Sequence, residues 1–141
     1  MSATSVKESL IELEVPTQPE FLRIVRLLVS GFASRWPLSF DEVENVKVAV
    51  SEACNVAIQQ CSDAEARLRI RCWRTGSRLY FEVRDKNVKQ GFAFAQDDDL
   101  MSAGEAGLGY LLIQTLMDDV KAVTRPNSGT TVTMTKKFTI N

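Results

Sequence analysis

Two periodicities alternate along this chain, and their order predicts its architecture. Leu10-Ile11-Glu12-Leu13-Glu14-Val15 alternates in part and stops at Pro16, which predicts a strand. Thr17-Gln18-Pro19-Glu20 has the form of a helix start, with Pro19 in a first turn that does not need its N–H. Phe21, Ile24, Val25, Leu28 and Phe32 then recur at helical spacing, so a first helix reaches Ser34 with Arg23 and Arg26 beside its apolar stripe. Pro37 interrupts. Ser39 followed by Glu42 is a capping-box pattern, in which each side chain satisfies the other residue's N–H. It opens a second helix with Val43, Val46, Val50, Ala53 and Ala57 facing inward, fading near Gln60.

Past a turn at Ser62-Asp63-Ala64-Glu65, the period changes to two. Leu68-Arg69-Ile70-Arg71-Cys72-Trp73 alternates strictly, as a half-buried strand does. Thr75-Gly76-Ser77 turns the chain and Leu79 to Val83 returns. From Asp85 to Gly104 no period survives, and an unpatterned stretch of that length inside a compact domain is usually functional. A third helix starts near Gly107 and carries Leu111, Leu112, Thr115, Leu116 and Met117. Val120 to Thr124 reads as a strand, Pro126 to Gly129 as a turn, and Thr130 to Thr139 as the last strand. The order β-α-α-β-β-loop-α-β-β predicts a two-layer α/β (α+β) sandwich. About three helices cover one face of a mostly antiparallel, mixed sheet.

Composition narrows the function more than the fold. A chain of 141 residues fits one domain, expected to span residues 1–141. Its net charge of −1 supplies no global field for nucleic acid or an anionic membrane, so partners have to be recognised by local patches. No apolar run reaches the roughly 18 residues that span a bilayer. Met1 to Leu10 lacks a secretion pattern, which predicts a cytoplasmic protein. Cys54, Cys61 and Cys72 cannot all pair and form no C-x-x-C, so they read as reduced small hydrophobes. Histidine is absent, which removes histidine bases, triads and metal sites together.

Three separated stretches carry candidate chemistry: Val48-Ala49-Val50-Ser51-Glu52-Ala53-Cys54-Asn55 on the second helix, Val83-Arg84-Asp85 at a strand end, and Gly104-Glu105-Ala106-Gly107-Leu108-Gly109-Tyr110 at the start of the third helix. Together they are able to frame a nucleotide. The aspartate accepts a hydrogen bond from an amino group, glycines let backbone N–H groups approach phosphate at a helix start, and the glutamate polarises a hydroxyl. Each also has a plainer reading: Glu52 as a solvated acid, Asp85 as a turn former or cap, Gly-x-Gly as a packing device.

Longer runs carry a resemblance. Val15-Pro16-Thr17-Gln18-Pro19-Glu20, Ala49-Val50-Ser51-Glu52-Ala53-Cys54, Gly107-Leu108-Gly109-Tyr110-Leu111, Thr115-Leu116-Met117-Asp118-Asp119-Val120 and Gly129-Thr130-Thr131-Val132-Thr133-Met134-Thr135-Lys136 resemble the RsbW-type anti-sigma factors. These are serine-protein kinases of the GHKL superfamily, which has the Bergerat or histidine kinase-like ATPase fold. The resemblance implies a homodimer that holds a sigma factor inactive. It also implies a STAS-type anti-anti-sigma competitor that the kinase phosphorylates with ATP and Mg²⁺. By the same resemblance Glu52 is the general base, Asp85 binds adenine, Gly107 and Gly109 lie near the phosphates, and Arg23 contacts a partner. Residues 86–104 correspond to the ATP lid, with Asn87 in the turn after Asp85.

The chain also departs from that pattern. The family places a magnesium-binding Asn four residues after the Glu; here that position is Val56, and Asn55 stands one residue early. Magnesium takes oxygen ligands in octahedral geometry, which valine cannot supply. One helical position turns a side chain by about 100°, so Asn55 is an imperfect substitute as nucleotide and metal ligand. A frequent histidine is Gln60, Asp-x-Gly reads Asp85-Lys86-Asn87, and the lid carries Asp97-Asp98-Asp99. These departures favour an anti-sigma binding module that works without ATP. The alternative is an active serine/threonine-protein kinase acting on the anti-anti-sigma factor with Mg·ATP. A third reading is a regulator of another signalling pathway on the same fold.

Overall fold

The computed structural model describes residues 6–61, 63–85, 105–125 and 129–139. The candidate lid 86–104, with Asn87 and Asp97-Asp98-Asp99, lies outside them. Five strands and three α-helices follow in the predicted order: β1 (Glu8–Pro16), α1 (Leu22–Ala33), α2 (Phe40–Gln60), β2 (Arg67–Thr75), β3 (Arg78–Asp85), α3 (Glu105–Leu116), β4 (Asp119–Arg125) and β5 (Gly129–Lys137). The sheet order is β1-β2-β3-β5-β4. All four pairings are antiparallel, so the described sheet has no parallel component.

Local chemistry accounts for most boundaries. The register between β1 and β2 is irregular between Glu8 and Ile11, where Ser9 has a φ of 57°. A bulge of that kind shifts the face of the residues before it, which is why the alternation was partial there. The helix start at Pro19 is a short 3-10 turn, Pro19–Phe21, and the α-helix proper begins at Leu22. The capping box forms as expected: Glu42 N donates to Ser39 Oγ at 3.1 Å, and Ser39 N donates to Glu42 Oε1 at 2.8 Å. Gly76 turns the β2–β3 hairpin with a φ of 61°, a conformation that favours glycine. Asp118 Oδ2 accepts from Lys137 N at 2.6 Å and Asp118 N donates to Thr135 O, which fixes the turn from α3 into β4 against β5.

One apolar layer lies between sheet and helices. Leu68, Ile70 and Cys72 of β2, Leu79, Phe81 and Val83 of β3, and Val132 and Met134 of β5 are all buried on one side. Val25, Val29 and Phe32 of α1 and Val46, Val50 and Ala53 of α2 cover them. Phe32 meets Phe81 edge-on at 5.9 Å. The α1 stripe is rotated from the expected one: Val29 is buried and Ile24 is 45% exposed. Cys54 and Cys72 are buried and all three cysteines are free, as expected of reduced small hydrophobes.

Candidate functional site

On α2 the period of 3.6 puts Glu52, Asn55, Val56 and Gln59 along one side. Glu52 and Asn55 are half-buried, Gln59 is exposed, and Val56 retains 1% of its surface. α3 crosses this side with Gly109. A Cβ added there would lie 2.7 Å from Glu52 Oε2, 3.1 Å from Val56 Cγ2 and 3.3 Å from Glu52 Cγ. Only a residue without a side chain lets the two helices approach so closely. Glu52 and Gly109, far apart in sequence, therefore lie against each other. Gly107 is buried in the same helix. Both glycines lie within the first turn and a half of α3, whereas the sequence had placed them at its opening, because the described helix already runs from Glu105.

Two concavities flank this seam. One, of about 430 Å³, lies between α1 and α2 and is lined by Leu22, Arg26, Lys47, Val48 and Ser51. The other, of about 350 Å³, lies between α2 and α3 and is lined by Gln59, Leu108, Gly109 and Leu112. Glu52 and Asn55 line both, so they form a saddle between them. Arg26 was noted in the sequence only as lying beside an apolar stripe. Its Nε donates to Ser51 Oγ at 3.0 Å, tying α1 to α2 one residue before Glu52. The same guanidinium acts on Cys54: burial pushes that thiol up to about 12, and Arg26 offsets part of the rise. Arg23 is exposed on α1 and lines neither concavity; Ile24 and Leu27 beside it are 45% and 69% exposed.

Asp85 ends β3 on its buried side, in the alternation Leu79, Phe81, Val83, Asp85, and is 4% exposed. It faces the helical layer but lines neither concavity described above. Leu68 and Thr130 are its partners on the adjacent strands. Thr130 is fully buried, and its hydroxyl lies 2.9 Å from that of Thr124 on β4. A carboxylate and two hydroxyls thus form a polar row at the end of an apolar layer. Sequence reasoning missed Thr130 and Thr124. The signal was the short run Gly129-Thr130, but only the pairing of β3 with β5 sets it opposite Asp85.

The residues present do not fit a magnesium ion of the family type. Val56 fills the seam where the oxygen ligand would stand, and it is packed against Gly109. Among the described residues no group of three or more His, Cys, Asp or Glu converges. Glu52 and Asn55 are the only oxygen donors lining both concavities.

Known proteins are similar to this chain over most of its length. Residues 15–136 match the model of the histidine kinase-like ATPase domain. The serine-protein kinase RsbW of Bacillus subtilis (strain 168) is 40% identical over 136 residues, covering 89% of this chain and 84% of that one. RsbW of Bacillus pumilus (strain SAFR-032) is 39% identical, covering 90% and 85%. Among solved structures, the RsbU and RsbW domains of a Mycobacterium tuberculosis protein superpose with a TM-score of 0.67 at 14% identity, covering 91% of this chain and 31% of that one. The histidine kinase domain of a blue-light activated kinase from Erythrobacter litoralis gives 0.56 at 17% identity, covering 87% and 61%. At such identities these two likenesses concern the fold alone.

Proposed function

We propose, for a chain that belongs to the histidine kinase-like ATPase family and to its RsbW-type serine-protein kinases, that its work is protein sequestration rather than phosphoryl transfer. It holds a sigma factor, an anti-anti-sigma protein competes for it, and little or no Mg·ATP chemistry is involved. The carrying observation is Val56, which is buried against Gly109 in the seam where a metal ligand is required. Phosphoryl transfer depends on neutralising charge at the transferred group, and this seam offers an isopropyl group instead. A protein-binding surface does not depend on that seam. α1 carries Arg23, Ile24 and Leu27 in exposed positions, a cation beside apolar contact area of the kind protein partners use. A cytoplasmic homodimer is part of the same reading; no described helix is long and apolar enough to cross a membrane.

A second reading keeps the kinase. Glu52 and Asn55 stand together on the saddle between the two concavities, and Asp85 is buried on the helix-facing side of the sheet. In that reading Asn55 and Glu52 hold what cation there is, and Asp85 with Thr130 recognises an adenine edge. Calorimetric titration with Mg·ATP separates the two. The binding-module reading expects no heat of binding at millimolar nucleotide, together with co-purification of a sigma factor that an anti-anti-sigma protein displaces. Saturable binding with phosphate transferred to a serine of the competitor would establish the kinase instead.

A further inference from the structure

The concavity between α2 and α3 has a composition that a metal–phosphate site does not explain. Its α2 wall carries Glu52, Asn55 and Gln59, one carboxylate and two carboxamides along one side of the helix. Its α3 wall carries Leu108, Gly109 and Leu112. Among the described residues that line it, none is basic. Arg26 and Lys47 line the other concavity, where Arg26 is bound to Ser51 and Lys47 to Glu44, each at 3.0 Å. The apolar wall is open to water: Leu108 is 66% exposed and Leu112 39%, with Leu111 beside them at 47%. Scattered exposed leucines are ordinary, but leucines at i, i+3 and i+4 on one helix form a patch.

Magnesium does not fit here, because Val56 stands in the seam. The cleft offers instead one acid, two neutral acceptors and an apolar wall. We propose that it receives a lysine side chain of a partner protein, whose ammonium group stands where the sequence pattern calls for a metal ion. An ammonium has three N–H donors and no acceptor. It needs no octahedral shell of oxygens. It donates to the Glu52 carboxylate in a charge-assisted hydrogen bond and to the carbonyl oxygens of Asn55 and Gln59. The four-carbon stem lies along Leu108 and Leu112, as long basic side chains lie along apolar surface. Gly109 keeps the carboxylate uncovered, since a Cβ there would lie 2.7 Å from Glu52 Oε2. Arginine suits the cleft less well. Its planar fork pairs best with the two oxygens of one carboxylate, whereas these acceptors are spread over about two helical turns. A volume of about 350 Å³ is near the lower bound of small-molecule pockets, roughly 300–1,000 Å³, and suits one inserted side chain better than a nucleotide with its metal. The exposed leucines favour a protein over a free amine, because they give a partner's backbone apolar area to rest on. Glu52 and Asn55 also line the concavity on the α1 side, so a partner seated on α1 reaches the cleft across the saddle. A nucleotide would fill the same space, so this anchor rests on the reading of the chain as a sequestering module.

The test follows the leucine methyl groups and the Asn and Gln side-chain amides of the labelled full chain by NMR, at constant ionic strength. The probe is N-acetyl-lysine N-methylamide, compared with its norleucine analogue, which has the same carbon stem and no charge. The lysine probe is expected to shift Leu108, Leu112, Asn55 and Gln59 saturably. It is expected to bind about tenfold more tightly than the norleucine probe, the worth of one charge-assisted hydrogen bond. Glu52→Gln is expected to remove that preference, with the methyl resonances of the buried Leu68 and Leu79 unmoved to show that the variant is folded. Lys47→Ala, in the other concavity, is expected to leave the preference in place. Equal binding of the two probes, or no shift from either, would overturn the lysine site and leave sequestration standing. Displacement of the lysine probe by Mg·ATP would make the cleft a nucleotide site and overturn both readings together. Tighter binding of spermidine than of a lysine-containing pentapeptide would assign the cleft to a free polyamine and overturn docking of a protein.

Discussion

Asp85 and Val56 are both almost fully buried, at 4% and 1% exposure, yet their burial has opposite meanings. A carboxylate taken out of water is costly unless hydrogen bonds compensate it. Asp85 sits at the end of an apolar layer, opposite Thr130 and next in line to Thr124, so its burial calls for polar partners. Val56 carries no such cost. Its methyl groups fill the seam between α2 and α3 and add dispersion contacts. One end of the helical layer holds polar groups that packing alone would not select, and the other is filled by apolar packing. On the proposed reading, the metal end of the site is lost while the base-recognition end persists, because the two ends are built on different elements and stabilised by different forces.

The comparison can be broken most severely with alkali. Burial pushes the thiols of Cys54, on α2 near Val56, and Cys72, on β2, from the ordinary 9.0 up to about 12. A thiol whose folded value is raised contributes stability that is complete below pH 9 and is lost as pH rises towards 12, because only the unfolded chain releases the proton. Urea unfolding at pH 8 and pH 11 is expected to differ by several kcal/mol, on the order of 2 kcal/mol or more for each thiol. Thiolate absorbance from folded Cys54 at pH 10 would show that water reaches the metal end and that its dry packing is misjudged.

Val56→Ala removes two methyl groups from the seam and is expected to cost about 2 kcal/mol of stability, with no change in nucleotide affinity. A chemical denaturation midpoint that does not move would mean that the seam is loosely packed. Val56→Asn restores the oxygen ligand. It is expected to gain at least tenfold in Mg·ATP affinity, about 1.4 kcal/mol, while lowering the stability of the ligand-free chain. Thermal shift with and without Mg·ATP reads both effects. If affinity does not rise, the base-recognition end has also been lost. Thr130→Val keeps shape but removes the hydroxyl that meets Thr124, and is expected to cost about 1 kcal/mol. An unchanged melting curve would show that the polar row beside Asp85 contributes nothing to the isolated fold.

Much of the architecture was legible because each element carried a clear period. The capping box at Ser39 and Glu42, the strict alternation of Leu68 to Trp73, and the Gly76 turn all read directly into coordinates. Where neighbours rather than period decide burial, the reading slipped: Ile24 fits the α1 stripe as well as Val29, and only the position of the sheet chooses between them. The site was legible where a residue type is chemically constrained. Gly109 had to be small, and it meets Glu52. It was illegible where strand pairing supplies the neighbour, as with Thr130 beside Asp85, or where an arginine on one helix reaches a serine on the next, as Arg26 reaches Ser51.

The edge position of β1 has a temporal consequence. Glu8 pairs with Arg74 across 66 residues of sequence, with both long helices in between. At synthesis rates of about 5–20 residues per second, the amino-terminal segment waits roughly 3–13 s for its neighbour to emerge from the ribosome. During that wait Glu12 and Glu14 put a negative charge on alternate positions of an unpaired, otherwise sticky segment. Nascent chains crowded on one messenger would then repel each other at the point where they are most exposed to mispairing.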